Sequence, residues 1–212
     1  CSRHTRKRRK AIGSSTARCV RTSPSWPKKA RVTKSSSRSP TGSTPAKALS
    51  ADLERVRKTL AEIREDATTP RTRLADYLLG MNPAETDALT NLTLGGYFGG
   101  RIWTLHGRFR YFDPARRRAG LPENVAALVE KLGADSATLT LVNVNPVDAR
   151  TVIVQAGGYA EHRFDTAQTG GETIAINAPH VEVKLEPGCG ARIEFKMTRY
   201  QNRPTLAQPW GR

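Results

Sequence analysis

Two stretches near the end of the chain alternate apolar and polar residues without a break, and that alternation decides the class of fold. Val181, Val183 and Leu185 are set against Glu182, Lys184 and Glu186; Ile193, Phe195 and Met197 are set against Arg192, Glu194 and Lys196. Successive side chains of a strand point to opposite faces, so a period of two gives one face for a core and one for water. Pro187-Gly188-Cys189-Gly190 between the two runs reads as a hairpin loop. The same period runs through 101–112, where Trp103, Leu105, Gly107, Phe109 and Tyr111 share one face and Thr104, His106, Arg108 and Arg110 the other. Further strands are expected at 137–145 and 150–156, separated by a turn at 146–149, and at 159–164 and 172–176 around Gly170-Gly171. Gly157-Gly158 marks a bend or bulge. About seven strands, each with one face to hide, predict a mainly β chain folded as an antiparallel β-sandwich.

Two or three short helices accompany the strands. Leu53, Val56, Leu60 and Ile63 make a stripe at helical spacing over 51–66, with Ser50 as N-cap and Asp52 and Glu54 at the positive end. A second helix is expected at 70–79, opened by Thr69 and Pro70 and closed by Gly80, with Leu74, Tyr77 and Leu78 on its apolar face. A third fits 122–132, where Val125, Leu128, Val129 and Leu132 share a face and Gly133 follows. Gly95-Gly96 and Gly99-Gly100 read as turn glycines, because a phosphate cradle would need a helix after them and a strand follows instead. The organisation is therefore a basic segment over 1–50, a helical segment over 51–80 and a sandwich over 81–212.

Charge divides the chain at the same place. Residues 1–50 hold 14 of the 35 lysines and arginines and none of the 19 aspartates and glutamates, so +14 of the net +16 lies there. This segment is rich in Ser, Thr and Pro and has few large apolar residues, a composition too poor in burial to offset chain entropy, so it is expected to be disordered. Arg6, Lys7, Arg8, Arg9 and Lys10 are candidate phosphate-binding residues, acting by counterion release without base specificity. A solvated linker and out-of-frame translation of a GC-rich gene account for the same composition equally well. The body carries only +2, so the high isoelectric point does not describe it. No apolar run is long enough to span a membrane, and the basic opening lacks the apolar region of a secretory signal. Three cysteines, Cys1, Cys19 and Cys189, fit neither a zinc spacing nor a disulfide framework.

Candidate chemistry in the body is sparse. His106, Arg108, Arg110 and Asp113, with Trp103 as a stacking ring, are the candidate ligand-binding residues. An enzyme built on His106, Arg108 and Asp113 would require those groups to converge in one pocket. Alternation alone already places polar residues on that strand face. Arg116-Arg117-Arg118 is a basic cluster that acids nearby can balance. Glu161 and His162 are adjacent in a segment expected to be a strand, so they diverge. No histidine pair has helical zinc spacing and no serine sits in a nucleophile elbow. No cofactor is implied. Trp210, flanked by proline, is expected to pack back onto the body.

Two segments carry a resemblance. Leu74-Ala75-Asp76-Tyr77-Leu78-Leu79-Gly80-Met81-Asn82-Pro83 resembles the last helix and turn of α/α-toroid glycoside hydrolases. Leu139-Thr140-Leu141-Val142-Asn143-Val144-Asn145-Pro146, followed by Thr151-Val152-Ile153-Val154, resembles a strand pair in the C-terminal β-sandwich domains of many glycoside hydrolases. Those sandwiches are usually non-catalytic and pack against the catalytic barrel, and no catalytic residue carries over. The resemblance implies a C-terminal accessory domain of a larger, carbohydrate-active bacterial protein. Its partners would be the catalytic or helical domain of that parent, and carbohydrate. Leu53, Val56, Leu60 and Ile63 would then await partner helices. The alternative is a nucleic-acid-binding protein using the basic N-terminal arm.

Overall fold

The computed structural model describes residues 44–73, 83–84, 86–96 and 107–210. Within them the chain is mainly β, with two helices and nine strands in two antiparallel sheets. The helices are α1 (Pro45–Glu65) and α2 (Asp87–Leu94). The strands are β1 (Phe109–Asp113), β2 (Arg118–Ala119), β3 (Val125–Leu132), β4 (Ser136–Asn143), β5 (Arg150–Ala156), β6 (Arg163–Thr169), β7 (Glu172–Ala178), β8 (His180–Leu185) and β9 (Gly190–Thr198). One sheet runs β2-β1-β5-β8 and the other β3-β4-β9-β6-β7. Their inner faces meet over a core that includes Phe109, Tyr111, Leu139, Val152, Val154, Phe164, Val183, Ile193 and Phe195. Phe164 and Phe195 lie 4.5 Å apart at its centre and Phe109 packs against both. The sandwich expected from alternation is the fold found.

Several local expectations change. The runs at 181–185 and 192–197 are not a hairpin: β8 pairs with β5 in one sheet, while β9 pairs with β4 and β6 in the other. Alternation requires only that each run hide one face, and facing across the core satisfies that as well as pairing does. The connection over 186–189 is therefore an arch between sheets. A second arch joins β4 to β5. Asn143, fully buried at the end of β4, ties the two together. Its amide donates to the carbonyls of Asp148, Leu185 and Glu186 at 2.8, 3.4 and 3.3 Å, and its oxygen accepts from Asn145 N–H at 3.0 Å. Cys189, in the β8–β9 arch, is disulfide-bonded, which the odd cysteine count gave no reason to expect.

Residues 125–132 form strand β3, not the third helix. A bulge between Val129 and Lys131 shifts the register against β4. Val125 and Val129 face inward before it and Leu132 after it, so the buried positions fall four and three apart, the spacing of a helix face. Residues 157–162 are a loop and β6 starts at Arg163. Gly157 and Ala160 both take left-handed backbone there, at φ of +87° and +57°.

The helical part also departs. α1 begins at Pro45 with Thr44 as N-cap, so Ser50 lies inside it. Ala46, Lys47, Ala48 and Leu49 are all good helix formers and simply extend the pattern upstream. The helix expected over 70–79 lies largely outside the described residues; 70–72 are a turn. The short α2 had no strong periodic signal. Gly95, expected only as a turn glycine, closes it in left-handed conformation at φ +65°. α1 packs on α2, and α2 on β3. Tyr111 fastens α2 to the core, its buried hydroxyl donating to the carbonyl of Thr93 at 2.6 Å.

Candidate functional site

Of the residues expected to bind a ligand, Arg108, Arg110 and Asp113 are described. Trp103 and His106 lie outside the described residues, as do Arg6, Lys7, Arg8, Arg9 and Lys10. The other three point to separate tasks. The Arg108 guanidinium donates to the carbonyls of Gly133 and Ala134, at 3.0 and 3.3 Å. Burial holds its pKa below the usual arginine value. Arg110 lies over the Phe112 ring at 4.9 Å and donates to the carbonyl of Gly158 at 3.4 Å. Asp113 is buried, accepts from the N–H groups of Ala115 and Arg116 at 3.1 and 3.2 Å, and faces Arg118 at 3.5 Å. Each charge thus organises a loop or turn, and these two arginines and Asp113 do not converge on a shared pocket.

Three other places gather polar or aromatic groups. On the outer face of the four-stranded sheet, buried Gln155 meets the His180 ring nitrogen at 3.0 Å, and Trp210 stands edge-on to Phe112 at 5.6 Å. The C-terminal tryptophan therefore packs on the body. At one end of the sandwich, His162 is buried beneath Tyr200, with ring centroids 4.9 Å apart. Its Nδ1 accepts from Tyr200 N–H at 3.1 Å, and burial with Arg108 and Arg199 nearby holds its pKa below the ordinary value. Glu161 folds back over Gly157 and accepts from Tyr159 N–H at 2.7 Å. A Cβ on Gly157 would meet that carboxylate, the movable end of a side chain, and it is the φ of +87° that calls for glycine there. Because 161–162 are loop and not strand, the two side chains do not diverge as expected: His162 Nε2 lies 3.7 Å from the Glu161 carboxylate. The outer face of the five-stranded sheet carries a concavity of about 220 Å3 lined by Thr166, Gln168, Thr173, Glu194 and Lys196, with no aromatic platform for a sugar ring. Among the described residues no three metal-ligating side chains come together.

The remaining feature is α1. Leu53, Val56, Leu60 and Ile63 share a stripe, and the upstream extension adds Leu49. Val56 is half-buried, but Leu49, Leu53, Leu60 and Ile63 are 37, 55, 36 and 37% exposed. The face turned inward is different: Asp52 is buried and accepts from Ala88 N–H at 2.8 Å, so its carboxylate caps the start of α2. Arg55 pairs with the same carboxylate. α1 is thus held by a polar contact, and its apolar stripe turns outward. No protein-family model, curated protein or solved structure matches the chain.

Proposed function

We propose that the chain is a non-catalytic accessory β-sandwich that docks through α1 onto helices of a partner domain. The exposed stripe from Leu49 to Ile63 carries this reading. Side chains of this kind recover on the order of 1 kcal/mol each when water is removed from them, and a lone helix has no local use for such a row. The scattering of Arg108, Arg110 and Asp113 into separate structural contacts supports the non-catalytic part. The resemblances at 74–83, 139–146 and 151–154 supply the parent: a larger, carbohydrate-active bacterial protein whose catalytic or helical domain is the partner. Carbohydrate would then meet the parent's site more than this domain.

The test is the double substitution L53S/L60S. A docking stripe exposed in the free chain predicts denaturant unfolding unchanged within about 1 kcal/mol. A loss of several kcal/mol would show that the stripe is internal core and would end the docking reading. For the parent, the coding DNA upstream of residue 1 should encode a helical domain in frame; an in-frame stop codon there refutes it.

A further inference from the structure

The two flanks of the α1 stripe differ in charge and in what covers them. Written as heptads, Leu53 and Leu60 take position a, and Leu49, Val56 and Ile63 position d. Position g holds Asp52, Thr59 and Asp66, all at least partly buried. The chain's own path after α1 is fastened on that flank twice, by Arg73 to Asp66 at 3.5 Å and by Ala88 N–H to Asp52 at 2.8 Å. Position e holds Ser50, Arg57 and Arg64, all exposed. No hydrogen bond or ion pair engages either guanidinium among the described residues. One flank is therefore acidic and occupied, the other basic and open.

A second copy of the chain fits this poorly. In an antiparallel pair the e flanks meet, and arginines face arginines. In a parallel pair each e flank meets a g flank that the chain's own return path already holds. The geometry points to a helix of different sequence as the occupant. It is amphipathic, with apolar residues at i, i+3, i+4 and i+7 and with carboxylates along the edge that lies against Arg57 and Arg64. This names the chemistry of the docking partner proposed above and rests on that reading.

The full chain is titrated with a fluorescent peptide of about four heptads, leucine at a and d and glutamate at e and g, and with its lysine-flanked counterpart. The glutamate peptide should bind more tightly by roughly fivefold, the effect of two exposed ion pairs. The variant R57E/R64E should reverse the order. L53S/L60S, which keeps the basic N-terminal stretch, should abolish binding; retention there would mean that the peptide sits on that stretch, and would overturn the proposal. Equal binding of both peptides, lost in L53S/L60S, would overturn the acidic edge while leaving docking at α1 standing. No binding of either peptide overturns the proposal. Should L53C also resist a thiol reagent, located by mass spectrometry, the chain's own residues cover the stripe and the docking reading falls with it. Sedimentation showing self-association that L53S/L60S dissociates would assign the stripe to a second copy and likewise overturn the proposal.

Discussion

At the scale of single residues, buried polar groups hold the ends of this sandwich. Asn143 is the clearest case, because one amide serves two arches whose strands pair in both sheets, β4 with β9 and β5 with β8. In N143A the carbonyls of Leu185 and Glu186 lose a donor in a site water reaches poorly, which should cost about 2–4 kcal/mol by denaturant unfolding. N145A, at a more exposed position, should cost about 1 kcal/mol. His162 makes a second prediction. Its folded pKa lies below the ordinary 6.5, first because burial penalises the charged ring and then because Arg108 and Arg199 repel it, while Glu161 acts in the opposite direction. Tyr200 closes the other side of the ring. The unfolded chain therefore takes up the proton first as pH falls. The stability owed to neutral His162 is present above the unfolded value and is lost as pH falls through the folded one. Unfolding free energy should decline with that slope below pH of about 6.5, and H162Q should remove it. An unchanged slope in H162Q would assign the titration to another group.

At the scale of elements, legibility followed how much of a segment's burial is set by its own sequence. β4, β8 and β9 hide one regular face each, and β5, buried on both faces over 152–156, carries a β-branched run; all four were readable. β3 was not, because its bulge at Val129–Lys131 spaces the buried side chains like a helix. The β8–β9 arch was not, because alternation says which face is buried and nothing about which strand lies beside it. The start of α1 was missed because a basic segment was taken to end where acids begin, whereas helix propensity runs back to Pro45. Of the candidate site, the stripe from Leu53 to Ile63 was legible as an apolar row, but its exposure depends on where α2 sits. That placement rests on Gly95. A Cβ there would stand 3.0 Å from Val129 Cγ1 and 3.2 Å from Leu132 Cδ2, at a φ that only glycine takes freely. G95A should therefore cost about 1–3 kcal/mol. Hydrogen exchange should speed up in α2 and α1 while the sandwich strands stay protected. Uniform loss of protection would mean that helices and sandwich fold as one unit.

At the scale of the whole molecule, charge and fold occupy different parts of the chain. The basic stretch gives the molecule its isoelectric point of about 10.5, while the sandwich that forms the core lies in the nearly neutral remainder. Any cationic polymer segment of this density binds duplex DNA by releasing counterions, whatever its biological role. Deleting 1–43 isolates that effect when both proteins are compared reduced: it stops before Thr44 and leaves α1 intact, but it also removes the chain's other two cysteines, Cys1 and Cys19, while a cut at residue 50 would remove the first turn and a half of the helix. The full chain should bind duplex DNA at low salt with log K falling linearly against log salt, by roughly 0.9 for each phosphate neutralised. Under reducing conditions the deletion should abolish binding while leaving the unfolding of the sandwich unchanged. Binding that survives the deletion would place a nucleic-acid surface on the folded body, with Arg116, Arg117 and Arg118 at the β1–β2 turn the first residues to substitute. Binding that vanishes with the deletion, alongside peptide capture at α1 that does not, would separate the two functional readings: a polyanion-binding arm, and a docking domain that works without it.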